Sequence, residues 1–179
     1  MQKLSVVGDK TAQLTTYNGN VGIGTTLPGQ KLQVNGSIDY SGQLSRSGGT
    51  KPFARYNTFP AATTGPARLN FTTKVYDTHN AVTTGSSWKF KVPLKCAGYY
   101  LVHIGTHFQG IGYCDLYRTT GGVTTQHCRL NQSPSQYMHH GSAMIYLLAT
   151  DEIYVNITSG IVDAAGYLNY IDIACLDLQ

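Results

Sequence analysis

Hydrophobic and polar residues alternate most regularly in the middle of the chain, over residues 88–104. Trp88, Phe90 and Val92 occupy every second position and are separated by lysines. This spacing predicts a β-strand with one apolar face and one solvated face. Over residues 99–104 bulky side chains fall on both faces, which predicts a second strand that is buried on both sides in the middle of a sandwich.

The same strand-and-turn pattern continues through the C-terminal part of the chain. Short runs rich in β-branched and aromatic residues are separated by Gly, Ser, Asn and Pro, and no amphipathic helix is evident. The predicted strands are 53–58, 68–76, 88–92, 99–108, 112–118, 124–130, 142–148, 152–157 and 167–178. This many strands at this spacing predicts an all-β fold, a jelly-roll β-sandwich.

The N-terminal residues 1–45 contain few large apolar side chains. A turn signal at Asn18-Gly19 precedes short alternating segments in which Leu32, Val34 and Ile38 form one apolar edge. A single hairpin is marginally stable in water. We therefore expect this part of the chain to be a stalk that is stable only when several copies pack around an axis.

A Ser/Gly-rich stretch after the stalk predicts a linker at 46–50 and a head domain at 51–179. Within the stalk, residues 18–37 read NGNVGIGTTLPGQKLQVNGS. They resemble the NVGIGT-x-x-P-x-x-K-L-x-V-x-G segment of bacteriophage tail fibres and related virion fibres, which lies in or next to a trimeric β-rich shaft. The resemblance implies that residues 1–45 attach the chain to a capsid or tail protein of a virion.

The head also resembles a known family, on four segments in a fixed order. They are WKFKVP at 88–93, AGYYLV at 97–102, MIYLL at 144–148 and TDEIYV at 150–155. These resemble the F-x-V-P-x-x-G-x-Y-x-F and L-x-L-x-x-G-D-x-V signatures of the C1q/TNF-like jelly roll, with Val102 in place of Phe and Thr150 in place of Gly. Because that family is characteristically homotrimeric, the resemblance implies a homotrimer.

Composition excludes several classes of partner. Charged residues make up 12% of the 179 residues and the net charge is +4, whereas nucleic-acid-binding proteins concentrate positive charge. Lys89, Lys91 and Lys95 fit a solvated strand face. No apolar run approaches the roughly 20 residues of a membrane span, and the first ten residues lack the apolar core of a signal peptide. We expect neither nucleic-acid binding nor membrane insertion.

The cysteines and histidines leave two alternatives open. Cys114 and Cys128 flank a turn, so they form either a cross-strand disulfide or two reduced, small apolar side chains. The six histidines hold a metal only if a threefold axis gathers three copies of one of them. We interpret His103 and His107 as hydrogen-bonded sheet histidines, and we expect no metal and no cofactor.

The sequence contains no pattern of residues that favours an enzyme. Asp151 and Glu152 are adjacent, so on a strand they point to opposite faces, whereas a glycosidase needs two carboxylates that face each other across a groove. The G-x-G at Gly22 and Gly24 is not followed by a helix, so it does not match a phosphate-binding loop. We expect no catalytic residues.

Residues 131–140 form the longest polar loop predicted in the head. Tyrosine and amide side chains stack on and hydrogen-bond to sugars and protein surfaces. The candidate ligand-binding residues are Asn131, Gln132, Gln136, Tyr137, His139 and His140.

The expected function is that of a homotrimeric bacteriophage fibre, assembled in the host cytoplasm and acting outside the cell as part of the virion. Its head binds the host cell surface, a glycan or a protein. The alternative is a decoration fibre whose head only caps and registers the trimer. Receptor binding predicts exposed aromatic residues at the distal loops, whereas a cap predicts aromatic residues buried along the axis.

Overall fold

The computed structural model describes residues 14–38 and 51–178. The chain divides into two compact units, residues 1–45 and 46–179. The predicted linker at 46–50 lies outside the described residues, as do the first thirteen residues of the predicted stalk. The strands of the first unit are β1 Leu14–Tyr17, β2 Asn20–Ile23 and β3 Leu32–Val34.

The first unit is a three-stranded sheet in which β1 and β2 pair antiparallel and β2 and β3 pair parallel. The β1–β2 turn is the one predicted at Asn18-Gly19, and both residues have the positive φ that a two-residue hairpin turn requires, 51° and 75°. Of the predicted apolar edge, Leu32 and Ile38 are 60% and 61% exposed. Among residues 14–38 of this unit, the buried ones are Gly22 and Pro28, so these residues form no apolar core by themselves.

The second unit is the head, and its elements are nearly all strands. They are β4 Phe53–Asn57, β5 Thr63–Thr64, β6 Ala67–Arg68, β7 Thr73–Asp77, β8 Val82–Thr83, β9 Lys89–Lys91, β10 Gly98–Gln109, β11 Gly112–Thr120, β12 Val123–Ser133, β13 Gln136–Leu147, β14 Glu152–Ser159, β15 Ile161–Val162 and β16 Tyr170–Leu178, with a 3₁₀ turn at Gly166–Leu168. Each of the nine predicted strands overlaps an observed strand. The segment 68–76 is split, because Leu69 and Phe71 leave the sheets and are fully buried.

The head strands form two sheets. In the first sheet the order is β13-β10-β16-β4-β7, and the short strands β15 and β5 continue beside the far end of β10. In the second sheet the order is β12-β11-β14-β9-β8, and β6 also pairs with β14. The head is therefore a two-sheet β-sandwich, as the strand pattern predicted.

The core lies between the two sheets and is centred on the predicted Trp88. This side chain is fully buried and its Nε1 donates to the Phe71 carbonyl oxygen at 3.0 Å. Its ring meets the edges of Phe71 and Tyr56, with centroids 5.3 and 6.3 Å apart. Phe90 and Val92 are buried beside it, which confirms the apolar face predicted from alternation.

The prediction that residues 99–104 are buried on both faces is wrong for a single chain. Tyr100, Val102 and Ile104 point into the sandwich and are fully buried. Tyr99 and Leu101 point outward and are 45% and 37% exposed. Residues 51–178 form two layers, so within these residues one face of each sheet has no covering element. The outward apolar residues therefore belong to the outer face of the first sheet.

Candidate functional site

The predicted polar loop at 131–140 is not a loop. β12 continues to Ser133 and β13 begins at Gln136, so a turn of two residues, Pro134 and Ser135, joins them. β12 pairs with β11 in the second sheet and β13 pairs with β10 in the first sheet. The chain thus crosses from one sheet to the other. The polar residues remain in strands because their backbone groups pair with the start of β11 and the end of β10.

Of the six predicted ligand-binding residues, the five whose side chains the structure describes do not come together. Asn131 is buried between the sheets, where its Nδ2 donates to Thr106 Oγ1 at 2.8 Å and to the His139 carbonyl oxygen at 3.2 Å. Its role as an exposed contact residue is therefore wrong. The His139 ring lies inside against Phe108, with centroids 6.3 Å apart.

Three others lie on different surfaces. Gln132 is exposed on β12. His140 lies on the outer face of the first sheet, where its Nδ1 is 3.0 Å from the Tyr170 hydroxyl oxygen. Tyr137 is 71% exposed at the start of β13. The side chain of Gln136 lies outside the description. Alternation along a strand separates residues that a loop would have grouped.

One end of the head carries exposed apolar and aromatic side chains on its turns. We call it the loop end, and it comprises residues 110–111, 134–137 and 163–169. Tyr167 is 80% exposed on the 3₁₀ turn, and Ile111 is 63% exposed. Neither residue was among the six candidate ligand-binding residues predicted from the sequence. In the sequence, one feature indicates that these side chains are exposed: each is a large apolar or aromatic residue next to a glycine of a turn.

The turn that carries Tyr167 is held from beneath by Asn169, which is fully buried. Its Nδ2 donates to the Asp163 carbonyl oxygen at 2.6 Å, and its Oδ1 accepts from the backbone N–H of His107 at 2.8 Å. His107 Nδ1 lies 3.5 Å from Asp163 Oδ2. These contacts hold Tyr167 outward in a defined position.

The outer face of the first sheet carries a second group of exposed apolar side chains. They lie on the adjacent strands β4, β16, β10 and β13, so they form one continuous surface. Its most exposed members are Phe53 (40%), Leu176 (44%), Tyr99 (45%), Leu101 (37%) and Met144 (62%). Tyr99 meets the edge of Tyr146 on β13, with centroids 5.1 Å apart.

Beside this apolar surface, on the same face, lies a hydrogen-bonded group that we call the histidine–tyrosine array. It consists of Ser142, His103, Tyr170 and His140. His103 Nδ1 is 2.7 Å from Ser142 Oγ, and His103 Nε2 is 3.0 Å from the Tyr170 hydroxyl oxygen. His140 Nδ1 contacts the same hydroxyl oxygen. The two imidazole rings are parallel within 1°, with centroids 5.8 Å apart.

Charged groups border the array. Arg55 lies over the Tyr170 ring, 4.8 Å from its centroid, and its Nη1 is 3.5 Å from Asp172 Oδ2. The Tyr76 hydroxyl donates to Asp172 Oδ1 at 3.5 Å. Burial raises the pKa of Asp172, and the neighbouring positive charge of Arg55 opposes that rise. Burial also raises the pKa of Tyr170, so its hydroxyl keeps its proton and can donate.

On the outer face of the second sheet, the aromatic rings pack against neighbouring side chains of the same sheet. Tyr117 stacks on Tyr154, with centroids 5.4 Å apart, and Arg68 covers the other face of Tyr154 at 3.4 Å. Arg129 lies 4.2 Å over the Tyr113 ring and donates through Nε to Asp115 at 3.0 Å. Because these rings already have partners, this face is not a free stacking surface.

An open depression of ≈ 420 Å³ lies near the start of β10, at the end opposite the loop end. It is lined by His79, Asn80, Ala81, Thr83, Lys91, Val92, Pro93, Leu94 and Thr150. These residues include no carboxylate, so this depression does not supply the pair of acids that glycoside hydrolysis requires.

The cysteines are not paired in the described residues. All four cysteines are free. The register places Cys114 opposite Asn131 and Cys128 opposite Leu116, so the two thiols do not face each other across the hairpin. Across residues 14–38 and 51–178, no group of three or more His, Cys, Asp or Glu side chains is placed to hold a metal ion. Nor does this part of the chain form a helix of the length and apolarity that crossing a membrane demands.

No protein-family model and no curated protein sequence matches the chain. Solved structures do. The globular domain of the zebrafish complement 1qA protein has a TM-score of 0.53 and 16% sequence identity, and the match covers 73% of this chain and 100% of that chain. The fold is the C1q/TNF-like jelly roll. Eiger TNF from S. frugiperda has a TM-score of 0.55 and 14% identity over 72% of this chain and 94% of that chain. Murine APRIL has a TM-score of 0.57 and 12% identity over 71% of this chain and 100% of that chain.

The departures from the C1q/TNF-like signatures have local explanations. Val102 replaces Phe and is fully buried in the core. Thr150 replaces Gly and has a φ of 72°, the left-handed conformation that glycine adopts most easily. The next residue, Asp151, accepts from Arg118 Nε and Nη2 at 2.9 and 2.6 Å and from the backbone N–H of Leu148 at 2.8 Å. These bonds hold the β13–β14 turn in this C1q/TNF-like head.

Proposed function

We propose that the chain is a subunit of a homotrimeric bacteriophage fibre whose head binds the host cell surface. Residues 1–45 form the stalk and join a capsid or tail protein of the virion, and residues 51–179 form the C1q/TNF-like head. The resemblance of residues 18–37 to fibre shafts supports the first assignment. The mechanism is non-covalent recognition, and the protein acts outside the cell.

The observation that carries the trimer is the exposed apolar face of the first sheet. Phe53, Leu176, Leu101 and Met144 lie on four adjacent strands and are 37–62% exposed. Monomeric soluble proteins rarely leave a contiguous apolar surface of this kind uncovered. In a closed symmetric assembly the same face of each subunit contacts its neighbours. The coreless three-stranded sheet of the stalk has the same need for partners.

The loop end supports the binding role. The polypeptide enters the head near Phe53, which pairs with Ala174 beside the start of β10. The loop end lies at the other end of β10, so Tyr137 and Tyr167 project away from the point where the chain enters. Exposed tyrosines can stack on sugar rings while their hydroxyls form hydrogen bonds. Three heads would multiply a weak contact with a surface glycan into firm attachment.

The first test is the solution mass of the full chain by light scattering. We expect three times the 19.4 kDa of the monomer. A monomeric mass at micromolar concentration would refute the fibre assignment, because neither apolar surface would then have a partner.

The second test separates host binding from the alternative of a decoration fibre. Fluorescent full-length protein would be incubated with candidate host cells, and the variant Tyr137→Ala/Tyr167→Ala would be compared with Leu94→Ala. Leu94 is 75% exposed at the opposite end and serves as a matched control. Host binding predicts at least a tenfold loss for the tyrosine variant and no loss for the control. Equal binding by both variants would favour a head that only caps the trimer.

A further inference from the structure

The histidine–tyrosine array depends on a glycine in the middle strand. Tyr170 belongs to β16 and His140 to β13, and β10 lies between these two strands. Both residues pair with Gly105 of β10. A Cβ at this position would lie 2.5 Å from Tyr170 Cε1. Since Gly105 has no side chain, the Tyr170 phenol can extend over β10. There it contacts His103 of β10 and His140 of β13.

The array has a complete set of hydrogen bonds when both histidines are neutral. A neutral imidazole has one N–H donor and one acceptor nitrogen, and a phenol both donates and accepts. In one arrangement, His140 donates to Tyr170, Tyr170 donates to His103, and His103 donates to Ser142. In the reverse arrangement, Ser142 donates to His103, His103 donates to Tyr170, and Tyr170 donates to His140. Either direction satisfies each of the three contacts.

One added proton fits this geometry. If His103 carries it, both ring nitrogens donate, one to Ser142 and one to the Tyr170 oxygen. The Tyr170 hydroxyl then donates to His140, which stays neutral. All three contacts remain hydrogen bonds.

A second proton does not fit. With both imidazoles charged, His103 and His140 both donate to the Tyr170 oxygen, and the phenol proton has no acceptor within the array. Two positive charges would also face each other in parallel rings whose centroids are 5.8 Å apart. Like charges at this separation repel each other.

The surrounding groups do not neutralise the second charge. Asp172 on β16 lies directly opposite His103 of β10, but it already contacts Arg55 on β4 and the Tyr76 hydroxyl on β7. Arg55 itself lies over the Tyr170 ring. With neutral histidines, the array and its two charged neighbours together bear no net charge, because the charges of Arg55 and Asp172 cancel. Each proton added afterwards makes this part of the sheet face more positive.

We infer that the histidine–tyrosine array makes the contact between copies of this chain sensitive to acid. This inference rests on the proposed trimer. Leu101 and His103 are two residues apart on one face of β10, as are Met144 and Ser142 on β13, so the array adjoins the apolar surface. Assembly removes water that would otherwise solvate a second charge. The free subunit therefore binds more protons than the assembled one, and acid favours dissociation.

The test is the mass of the full chain from pH 8 to pH 5 by sedimentation equilibrium. If each subunit releases one proton on assembly, the trimer association constant falls by up to about a thousandfold for each pH unit below the point where the second proton binds. His140→Gln keeps a hydrogen-bonding side chain that cannot be protonated. We expect this variant to remain trimeric at pH 5. The control is His127→Gln, which changes an exposed histidine on β12 of the second sheet and should dissociate in acid as the unmodified chain does.

The outcomes distinguish the inference from the proposed function. A monomer at pH 8 overturns the trimer and, with it, the acid-sensitive contact. A trimer whose mass is unchanged at pH 5 overturns the inference and leaves the proposed function standing. Acid dissociation that persists in His140→Gln also overturns it, because another group would then be responsible.

Discussion

Replacing Met144 by glutamate should dissociate the proposed trimer without unfolding the head. Met144 is 62% exposed on the outer face of the first sheet and lies directly opposite Leu101 of β10. In the isolated head the substitution removes one cross-strand contact, worth about 0.2–1 kcal/mol. The folded subunit should therefore retain most of its stability.

The effect on assembly is larger. Full burial of a methionine side chain contributes about 1.5–3 kcal/mol, and roughly three fifths of Met144 remains to be buried, which leaves about 1–2 kcal/mol per subunit. Three subunits give about 3–6 kcal/mol, so Met144→Ala should weaken the trimer by a factor of about 10² to 10⁴. Glutamate adds the desolvation of three carboxylates, several kcal/mol each, which should abolish the trimer at micromolar concentration.

The assay is sedimentation equilibrium over a range of protein concentrations, with thermal unfolding of the same samples followed by circular dichroism. The control is Val123→Glu, because Val123 is 67% exposed at the start of β12 in the second sheet. If Met144→Glu stays trimeric, or if both variants dissociate equally, the outer face of the first sheet is not the contact between subunits.

Three further predictions concern the core. Trp88→Phe should destabilise the head by at least about 2 kcal/mol, measured by urea unfolding, because it leaves the Phe71 carbonyl unpaired and opens a cavity; an unchanged midpoint would contradict this. Burial raises the pKa of Tyr56 to about 12, so the unfolded state loses this proton first and stability should fall as the pH rises from 10 to 12; the fall should be smaller in Tyr56→Phe. Burial raises the pKa of Cys114 to about 12, so a thiol reagent at pH 8 should modify it only after unfolding, and modification of Cys114 in the native protein, located by peptide mass spectrometry, would refute this.

The sequence determined the parts of this protein that depend on local periodicity. Alternation at Trp88, Phe90 and Val92 identified the core face of the central strands, because successive side chains of a strand point to opposite sides. The Asn18-Gly19 turn was predictable because few residues adopt positive φ easily. The all-β class and the jelly roll followed from the number and spacing of such segments.

Polarity alone gave the wrong result at residues 131–140. Whether a polar segment forms a loop or a strand depends on which other strands pair with its backbone. Here the partners are β11 and β10, which are separate segments of the chain, so the residues 131–140 alone do not show the pairing. Pairing kept Asn131 and His139 in strands and turned them into the sandwich. It turned His140 outward, toward Tyr170.

The tertiary structure alone decided the composition of both candidate surfaces. Bulky residues on both faces of β10 were visible in the sequence, but only the two-layer packing showed that Tyr99 and Leu101 are not covered by the described residues of the head. The array joins His103 and His140 through Tyr170, a residue 67 positions from His103. Such proximity depends on strand order and register, which are set by long-range backbone pairing and not by the pattern of any one segment.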